Sequence, residues 1–423
     1  MSPGRRGRAA AAATAVGLAL VACGTSPTAP LADVPAGTSA SATSTSTSVV
    51  LAPVEQGPAE DVPSALDSYY ADGLPAPVVD TDRIRDGGPP PDGIPPIDAP
   101  RFDAVPDAGW LSDDEAVLAL DVDGEHRAYP VAIMTWHEIV NDTVGGVPVA
   151  VTYCPLCNSA LAFDRRVGER LMSFGTSGRL YLSALVMYDR QTRSLWSQVE
   201  GRALAGLLAG TTLRQLPVQT VRWASWRDAH PDGHVLSRDT GVERDYGRNP
   251  YVGYDAAGNA PFALDQDADP RLPPKERVVA FPDAVGAAPA AGSGATGPRA
   301  LDDPTAVRLT TLAREGVLEL EIAGEPVVLL AAPGLASSLD DARVADGRSI
   351  AATGAFSPVL DGRRLQLRRD GDAFLDDATG SRFDVLGRGL SGPLRGRQLS
   401  PVVHVDTFWF AWAAFQPGTR LIS

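Results

Sequence analysis

The middle of the chain alternates apolar and polar residues, which predicts β-strands. Between Trp110 and Gln198 the alternation recurs in short runs, among them V-L-A-L-D-V-D, R-A-Y-P-V, V-P-V-A-V-T-Y and L-V-M-Y-D. A period of two places successive side chains on opposite faces of a strand. Two short stretches, 134–141 and 223–229, fit a helix instead. The predicted fold class is therefore mainly β with short helices (α+β).

Glycines mark the predicted turns between these strands. V-G-G-V at 144–147 predicts a hairpin whose second strand ends at Cys154, because paired glycines suit the tight turns of hairpins. F-G-T-S-G at 174–178 has the glycines of an anion-binding loop but lacks the lysine of a phosphate loop. A second glycine hairpin is therefore predicted there.

Two parts of the chain align on each other. W-A-S-W-x-x-x-H-P at 223–231 matches W-F-A-W-x-x-x-Q-P at 409–417, and D-x-x-T-x-S recurs at 189–194 and 376–381. Matches in the same order predict an internal duplication. The expected result is two homologous β-rich lobes, a first lobe at 110–237 and a second lobe at 275–423. A connector, 238–274, joins them, and a low-complexity insert at about 283–300 interrupts the second lobe.

The duplication separates predicted framework from predicted function. Residues present in both copies are expected to serve the shared fold, and they include Asp189, Thr192, Ser194, Trp223, Trp226 and Pro231. Residues present in one copy are free of that constraint. Five such positions face a different residue in the second copy, namely Cys154 (Ala332), Cys157 (Leu335), His137 (Glu315), Arg190 (Asp377) and Gln198 (Val385). A functional site is therefore predicted in the first lobe, and the second is degenerate.

The N-terminal residues have the features of a lipoprotein. Residues 1–23 combine an arginine-rich start with an apolar run shorter than the roughly 20 residues of a membrane span, and the run ends in L-V-A-C. This resembles the bacterial lipobox, which implies a signal peptide, lipidation of Cys23 and anchoring on the extracytoplasmic face of the cell membrane. Residues 24–58, rich in Ser, Thr, Pro and Ala, are a predicted disordered tether. Residues 59–109 are a Pro/Gly-rich lead-in.

Composition narrows the choice of partners. A formal net charge of −15 argues against a nucleic-acid partner. Lysine occurs once, as Lys275, while arginine, alanine and glycine are abundant, which is typical of a high-GC bacterium. Three cysteines less the lipidated Cys23 leave a single pair in an oxidising compartment.

That pair, C-P-L-C, is the strongest chemical signal in the sequence. With His137, the thiolates of Cys154 and Cys157 would give a Cys₂His site for a soft metal ion, copper or zinc, with one open position. The spacing also suits a thiol–disulfide oxidoreductase in which Cys154 attacks and Cys157 resolves. A structural disulfide in a non-enzymatic ligand- or partner-binding protein is a third possibility. A nucleophilic cysteine with His137 as its base is a fourth.

Other polar residues form a predicted pocket around the same lobe, and they are Glu138, Arg190, Trp196 and Gln198. His230 and His234 have the spacing of helical metal ligands, but Pro231 and Gly233 would break that helix. Whether the protein is an enzyme stays open, because no Ser-His-Asp order, paired-carboxylate motif or nucleotide fingerprint occurs.

Several motifs together resemble the bacterial domain-of-unknown-function family 3179. They are W-H-E-I-V-N-D, V-T-Y-C-P-L-C-N-S-A, F-G-T-S-G, Y-D-R-Q-T-x-S-x-W-S-Q and the closing W-F-A-W-x-x-F-x-P-x-T. The resemblance extends from about Gly87 to the C-terminus. It implies an extracytoplasmic, often lipid-anchored protein, and it implies no particular activity.

Overall fold

Strands account for most of the regular structure in the computed structural model, which describes residues 63–282 and 303–423. The predicted signal peptide, tether and low-complexity insert, and the first residues of the lead-in, lie outside the described residues. The described part has four α-helices of seven residues each, α1 (Val131–His137), α2 (Trp223–Ala229), α3 (Leu309–Glu315) and α4 (Trp409–Phe415). The prediction of a mainly β fold with short helices is confirmed.

The strands of the first half, with the lead-in, are β1 (Ile84–Asp86), β2 (Phe102–Ala104), β3 (Ala116–Val122), β4 (Glu125–Pro130), β5 (Ile139–Val144), β6 (Val147–Cys154), β7 (Ser159–Asp164), β8 (Arg166–Val167), β9 (Arg170–Leu171), β10 (Phe174–Tyr181), β11 (Ala184–Asp189), β12 (Leu195–Ser197), β13 (Arg202–Ala205), β14 (Gln215–Leu216), β15 (Val218–Arg222) and β16 (His234–Leu236). Those of the second half are β17 (Arg277–Ala280), β18 (Thr305–Arg308), β19 (Val317–Ile322), β20 (Glu325–Ala336), β21 (Ser349–Phe356), β22 (Val359–Leu360), β23 (Arg363–Arg364), β24 (Leu367–Asp370), β25 (Ala373–Asp376), β26 (Arg382–Phe383), β27 (Gly389–Ser391), β28 (Val405–Phe408) and β29 (Arg420–Ile422).

The sheets of the two halves follow the same order. One sheet runs β15-β3-β4-β16-β2, and its counterpart runs β28-β17-β18-β29. In both, the pair that includes the last strand of the half, β4–β16 or β18–β29, is parallel. Each half also has an antiparallel set, β5-β6-β7 or β19-β20-β21, and a meander, β10 to β13 or β24 to β27. The internal duplication stays a prediction, and this shared order is what it requires.

A buried aspartate organises a loop in each meander. Asp189 accepts hydrogen bonds from the backbone N–H and hydroxyl of Thr192 at 2.5 and 2.9 Å. Asp376 accepts the same two bonds from Thr379 at 2.9 and 2.7 Å. Both aspartates have no exposed surface. Local polar side chains thus satisfy the turn backbone, as turn-forming residues do.

Two of the sequence predictions about local structure were wrong. The predicted helix 134–141 begins earlier and ends at His137, because Glu138 leaves the helix at a φ of 60° and the next residues pair with β6. F-G-T-S-G forms no hairpin turn: it lies within β10, which has a bulge between Thr176 and Arg179. The lead-in chain packs against it so closely that a Cβ on Gly178 would lie 1.8 Å from the carbonyl oxygen of Pro89.

The apolar core joins the two halves. One buried cluster combines Cys154, Cys157 and Trp196 of the first half with Trp409 and Trp412 of α4. None of the described helices is long and apolar enough to cross a membrane. The C-P-L-C turn therefore lies at the contact between the halves, enclosed by residues far away in sequence.

Candidate functional site: a buried dithiol

The hairpin formed by β6 and β7 presents the two cysteines. Cys154 is the last residue of β6 and pairs with Ser159, the first residue of β7. Between them the backbone N–H of Cys157 donates to the carbonyl of Cys154 at 3.2 Å, and Asn158 adopts a φ of 52°. Asn is among the residues that tolerate this left-handed conformation. The short turn thus brings both thiols to the same side of the hairpin.

The two thiols lie in direct contact and away from solvent. Their Sγ atoms are 3.2 Å apart, within hydrogen-bond distance, and Cys154 is 1% exposed and Cys157 0% exposed. Burial tends to raise the pKa of Cys154, but hydrogen bonds from the Cys157 thiol and from the backbone N–H groups of Leu185, Cys157 and Leu156 lower it below its ordinary value. Burial raises the pKa of the Cys157 thiol well above its usual range. Cys154 is thus the more acidic thiol of the pair.

The second half encloses this turn from one side. The carbonyl oxygen of Cys157 accepts hydrogen bonds at 2.9 Å from the backbone N–H of Phe408 and from the hydroxyl of Thr407. Gln198 stabilises the hairpin through its side-chain amide. Its Oε1 accepts a hydrogen bond from Ser159 Oγ, and its Nε2 donates to Thr152 Oγ1, at 3.1 Å each. The predicted site residue Gln198 therefore supports the turn without contacting the thiols by hydrogen bond.

Glu138 is an acidic residue near the thiols, and its charge contributes to the raised pKa of Cys157. Its carboxyl accepts no hydrogen bond from any residue in the described part of the chain, although the residue is only 6% exposed. Burial, and then the nearby Cys154, raise the pKa of this carboxyl well above its usual range. Its φ of 60° is uncommon for a residue with a Cβ. The equivalent position after α3 is Gly316, with a φ of 77°.

The connector contributes two tyrosines that the sequence analysis did not single out. Burial raises the pKa of Tyr251 and of Tyr254, and for each the charge of Cys154 adds to the effect. Asn249 fixes this segment to the second half, because its Nδ2 donates to the carbonyl of Asp341 at 2.8 Å. The available signal was the concentration of aromatic residues in the connector, where Tyr246, Tyr251 and Tyr254 lie within nine residues.

Both ring nitrogens of His137 have partners other than the thiols. Nδ1 lies 2.7 Å from the carbonyl oxygen of Pro95, and Nε2 lies 2.5 Å from the hydroxyl of Tyr246. Because a carbonyl only accepts, Nδ1 carries the proton and Nε2 accepts from the tyrosine. Burial lowers the pKa of His137, which favours this neutral ring. Within the described residues, no group of three or more His, Cys, Asp or Glu is arranged to hold a metal ion.

The remaining predicted pocket residues have structural contacts. Trp196 is fully buried and donates from Nε1 to Asp189 at 2.9 Å. Arg190 pairs with Asp98 at 2.8 Å and with Asp92 at 3.2 Å, so it ties the lead-in to the meander. Neither side chain forms a hydrogen bond to Cys154 or Cys157. In the described residues, no hydrogen bond or ion pair joins either side chain to Glu138, the other predicted pocket residue.

His126 and His230, which no sequence motif links, contact each other away from the dithiol. The rings of His126 and His230 stack with centroids 3.9 Å apart, and His126 Nδ1 lies 2.8 Å from Asp121. They border a cavity of 230 Å³ that residues of the second half also line. Burial, and then the neighbouring His126, lower the pKa of His230 to about 4. Sequence spacing suggested His234 as its partner instead.

Acid is expected to destabilise the protein through His230. Its pKa is about 4 when folded and 6.5 when exposed, so between these values the unfolded state binds more protons and stability is lost as the pH falls. Allowing for the partial exposure of the ring, the loss is on the order of 1–2 kcal/mol. His230→Gln removes this contribution, and urea unfolding of both proteins near neutral pH and in mild acid measures it. An equal loss in the variant would assign the acid sensitivity elsewhere.

Fold and site together define a β-rich protein with a buried dithiol in a hairpin turn. The model of the family described as "Protein of unknown function (DUF3179)" matches residues 91–419, and the chain belongs to this family. The resemblance inferred from the motifs is thereby confirmed. No curated protein and no solved structure matches the chain.

Proposed function

We propose that the protein binds one copper(I) ion between the sulfur atoms of Cys154 and Cys157. The observation that carries the proposal is the direct contact of two buried thiols, whose Sγ atoms lie 3.2 Å apart. Hydrogen bonding by the Cys157 thiol and by the backbone of Leu185, Cys157 and Leu156 lowers the pKa of Cys154 and so favours its thiolate. A disulfide has no negative charge for such donors to stabilise. A metal-bound thiolate does, and donors around a ligand also fix its orientation.

Burial argues against the oxidoreductase interpretation. A thiolate that attacks the disulfide of another protein must reach it, and exchange rates depend on that access. Cys154 is 1% exposed and Cys157 is 0% exposed. A metal ion needs no such contact surface, because it enters the site and is then enclosed.

The number of ligands favours copper(I) over zinc. Zinc sites use four ligands, or three protein ligands and a water. The two cysteines are the thiol ligands that the described residues offer, and thiolates are among the soft ligands that select copper(I). Two sulfur atoms suffice for copper(I), provided they separate from their present 3.2 Å to admit the ion. The proposal keeps the lipid anchor at Cys23, which would place copper handling on the extracytoplasmic face of the membrane.

The test is the metal content of the purified full-length protein after anaerobic reconstitution with copper(I). We expect about one equivalent of copper in the wild type and a complete loss in Cys154→Ser and in Cys157→Ser, because a single thiolate is a weak site. His137→Ala should retain the metal, since both ring nitrogens of His137 already have partners. Full copper content in both cysteine variants would overturn the proposal.

The His137 variant also separates the two possible ligand sets. A loss of copper in His137→Ala with the fold intact would restore the Cys₂His set predicted from the sequence. Retention of zinc instead of copper would replace the metal and keep the site. Thermal unfolding of each variant distinguishes lost ligands from a lost fold.

One observation favours a second candidate function, a redox-active dithiol. The Sγ atoms lie 3.2 Å apart, the pKa of Cys154 is lowered by its hydrogen bonds against the effect of burial, and burial raises that of Cys157. Oxidation would form the S–S bond and release two protons and two electrons to a small-molecule disulfide, which becomes two thiols. The test is the reduction potential of the pair against glutathione. A pair that glutathione cannot reduce under native conditions would be a structural disulfide.

A further inference from the structure

The only lysine in the chain lies in a cavity of the second half. Lys275 is 2% exposed, and its Nζ donates to the carbonyl of Tyr254 at 2.7 Å. The same nitrogen lies 3.1 Å from the centroid of the Tyr254 ring. An ammonium group has three donors, so this contact leaves two of them without a protein acceptor in the described residues.

The cavity has the size and lining of a small-molecule site. Its volume is 470 Å³, within the range of about 300–1,000 Å³ that is typical of ligand pockets. Apolar residues of α3, β20 and β21 form one side, and they are Leu309, Ala313, Ala331, Pro333, Ile350 and Ala351. Charged side chains form the other side. Pockets of this kind use the apolar surface for affinity and a few polar groups for orientation.

The charges of the lining do not cancel. Asp255 is fully buried and already pairs with Arg277 at 2.9 Å and Arg348 at 2.8 Å, while Glu276 pairs with Arg308 at 2.9 Å. Lys275 and Arg369 form no ion pair with a carboxylate among the described residues. Arg369 instead donates from Nε to the carbonyl of Gly371 at 3.1 Å. Two cations of the lining thus form no ion pair in the described residues, although the charge of Asp255 acts on Lys275 from a greater distance.

Burying the cation of Lys275 without an ion pair is costly. Removing a charge from water is unfavourable unless a counter-charge or hydrogen bonds replace the lost hydration. The cost appears at Lys275, where burial lowers the pKa to about 8. An anion that enters the cavity would supply the missing counter-charge and hydrogen-bond acceptors. The cavity therefore favours binding of an anion.

We propose that this cavity binds a small organic anion, with its acid group on Lys275 and Arg369 and its apolar body against α3, β20 and β21. The apolar side distinguishes such a ligand from inorganic phosphate, which would leave that surface in contact with water. The site is separate from the dithiol in its residues. Tyr254 connects the two, because it contacts Lys275 and the thiols contribute to the raised pKa of its hydroxyl.

The binding test uses para-trifluoromethylbenzoate as the probe, followed by fluorine NMR on the purified full-length protein. We expect saturable binding that weakens by about tenfold or more in Lys275→Met and in Arg369→Gln, the effect of losing one charged hydrogen bond. Arg368→Gln is the matched control: Arg368 precedes Arg369 on β24, pairs with Asp377 at 2.7 Å and does not line the cavity. It should bind as the wild type does.

Three results would overturn the proposal. They are equal weakening in Arg368→Gln, equal binding of the neutral para-trifluoromethylbenzamide, and displacement of the probe by inorganic phosphate at the same concentration as by unlabelled benzoate. Weakening in Arg368→Gln would mean that any loss of positive charge lowers the affinity. Equal binding of the amide would show that the acid group is not recognised, and equal displacement by phosphate would show that the apolar body is not recognised. Thermal unfolding of Lys275→Met and Arg369→Gln confirms that each variant folds.

The single lysine provides an independent measurement. Trinitrobenzenesulfonate labels lysine amines, and Lys275→Met gives the background from the N-terminus. Saturating para-trifluoromethylbenzoate should slow labelling of Lys275, because the acid group would occupy the ammonium donors. Unchanged labelling at saturation would place the probe elsewhere and overturn the assignment of Lys275.

Discussion

Glu138→Gly is expected to make the protein more stable, by about 1–2 kcal/mol. The residue holds a left-handed backbone at φ 60°, a conformation that costs a non-glycine residue roughly 1–3 kcal/mol. The change also removes a buried carboxyl that accepts no hydrogen bond from the described residues. The cavity left by the side chain offsets part of the gain. Urea unfolding of the wild type and the variant measures the difference.

A second variant separates the backbone from the carboxyl. Glu138→Gln keeps the strained backbone and nearly the same volume, so it should gain less stability than Glu138→Gly. We expect both variants to hold copper(I) at least as well as the wild type, because both lose an acidic group whose charge raises the pKa of the Cys157 thiol. A Glu138→Gly protein less stable than the wild type would show that the side chain stabilises the fold.

Asp189→Ala is expected to destabilise the protein by about 3–5 kcal/mol. The carboxylate is completely buried, and it accepts hydrogen bonds from the backbone of Thr192, the hydroxyl of Thr192 and Nε1 of Trp196. Alanine leaves the backbone N–H of Thr192 and Nε1 of Trp196 buried without an acceptor, at roughly 1–3 kcal/mol for each unsatisfied group, while the Thr192 hydroxyl keeps Ser194 Oγ at 2.8 Å. The free energy of unfolding in urea measures the loss.

Two other aspartates serve as controls for this prediction. Asp376→Ala removes the equivalent carboxylate of the second half, which accepts from Thr379 and Gln366 but from no tryptophan. It should cost less than Asp189→Ala. Asp377→Ala removes an exposed ion pair with Arg368 and should change stability by about 0.5 kcal/mol or less. Similar losses in all three variants would mean that burial of these carboxylates has no special role.

Local patterns along the chain carried most of the fold. The alternating runs predicted the strands, the paired glycines of V-G-G-V predicted the β5–β6 hairpin, and C-P-L-C was correctly placed at the end of its second strand. Helix α2 was predicted with its observed bounds. These features depend on neighbours within a few residues, so the local sequence is sufficient to specify them. The hairpin predicted at F-G-T-S-G was wrong because its glycines allow close packing of the lead-in chain, about 90 residues earlier.

The sequence by itself determined the β-rich class, the family and the proximity of the two thiols, which lie three residues apart in one turn. Only the tertiary structure decided what surrounds them. His137 is seventeen residues from Cys154, yet its partner Tyr246 is 109 residues away in the connector. Glu138, Tyr251 and the second half reach the thiols through the same packing. Contacts of this kind follow from how whole sheets bury their apolar faces, and no spacing within the sequence encodes them.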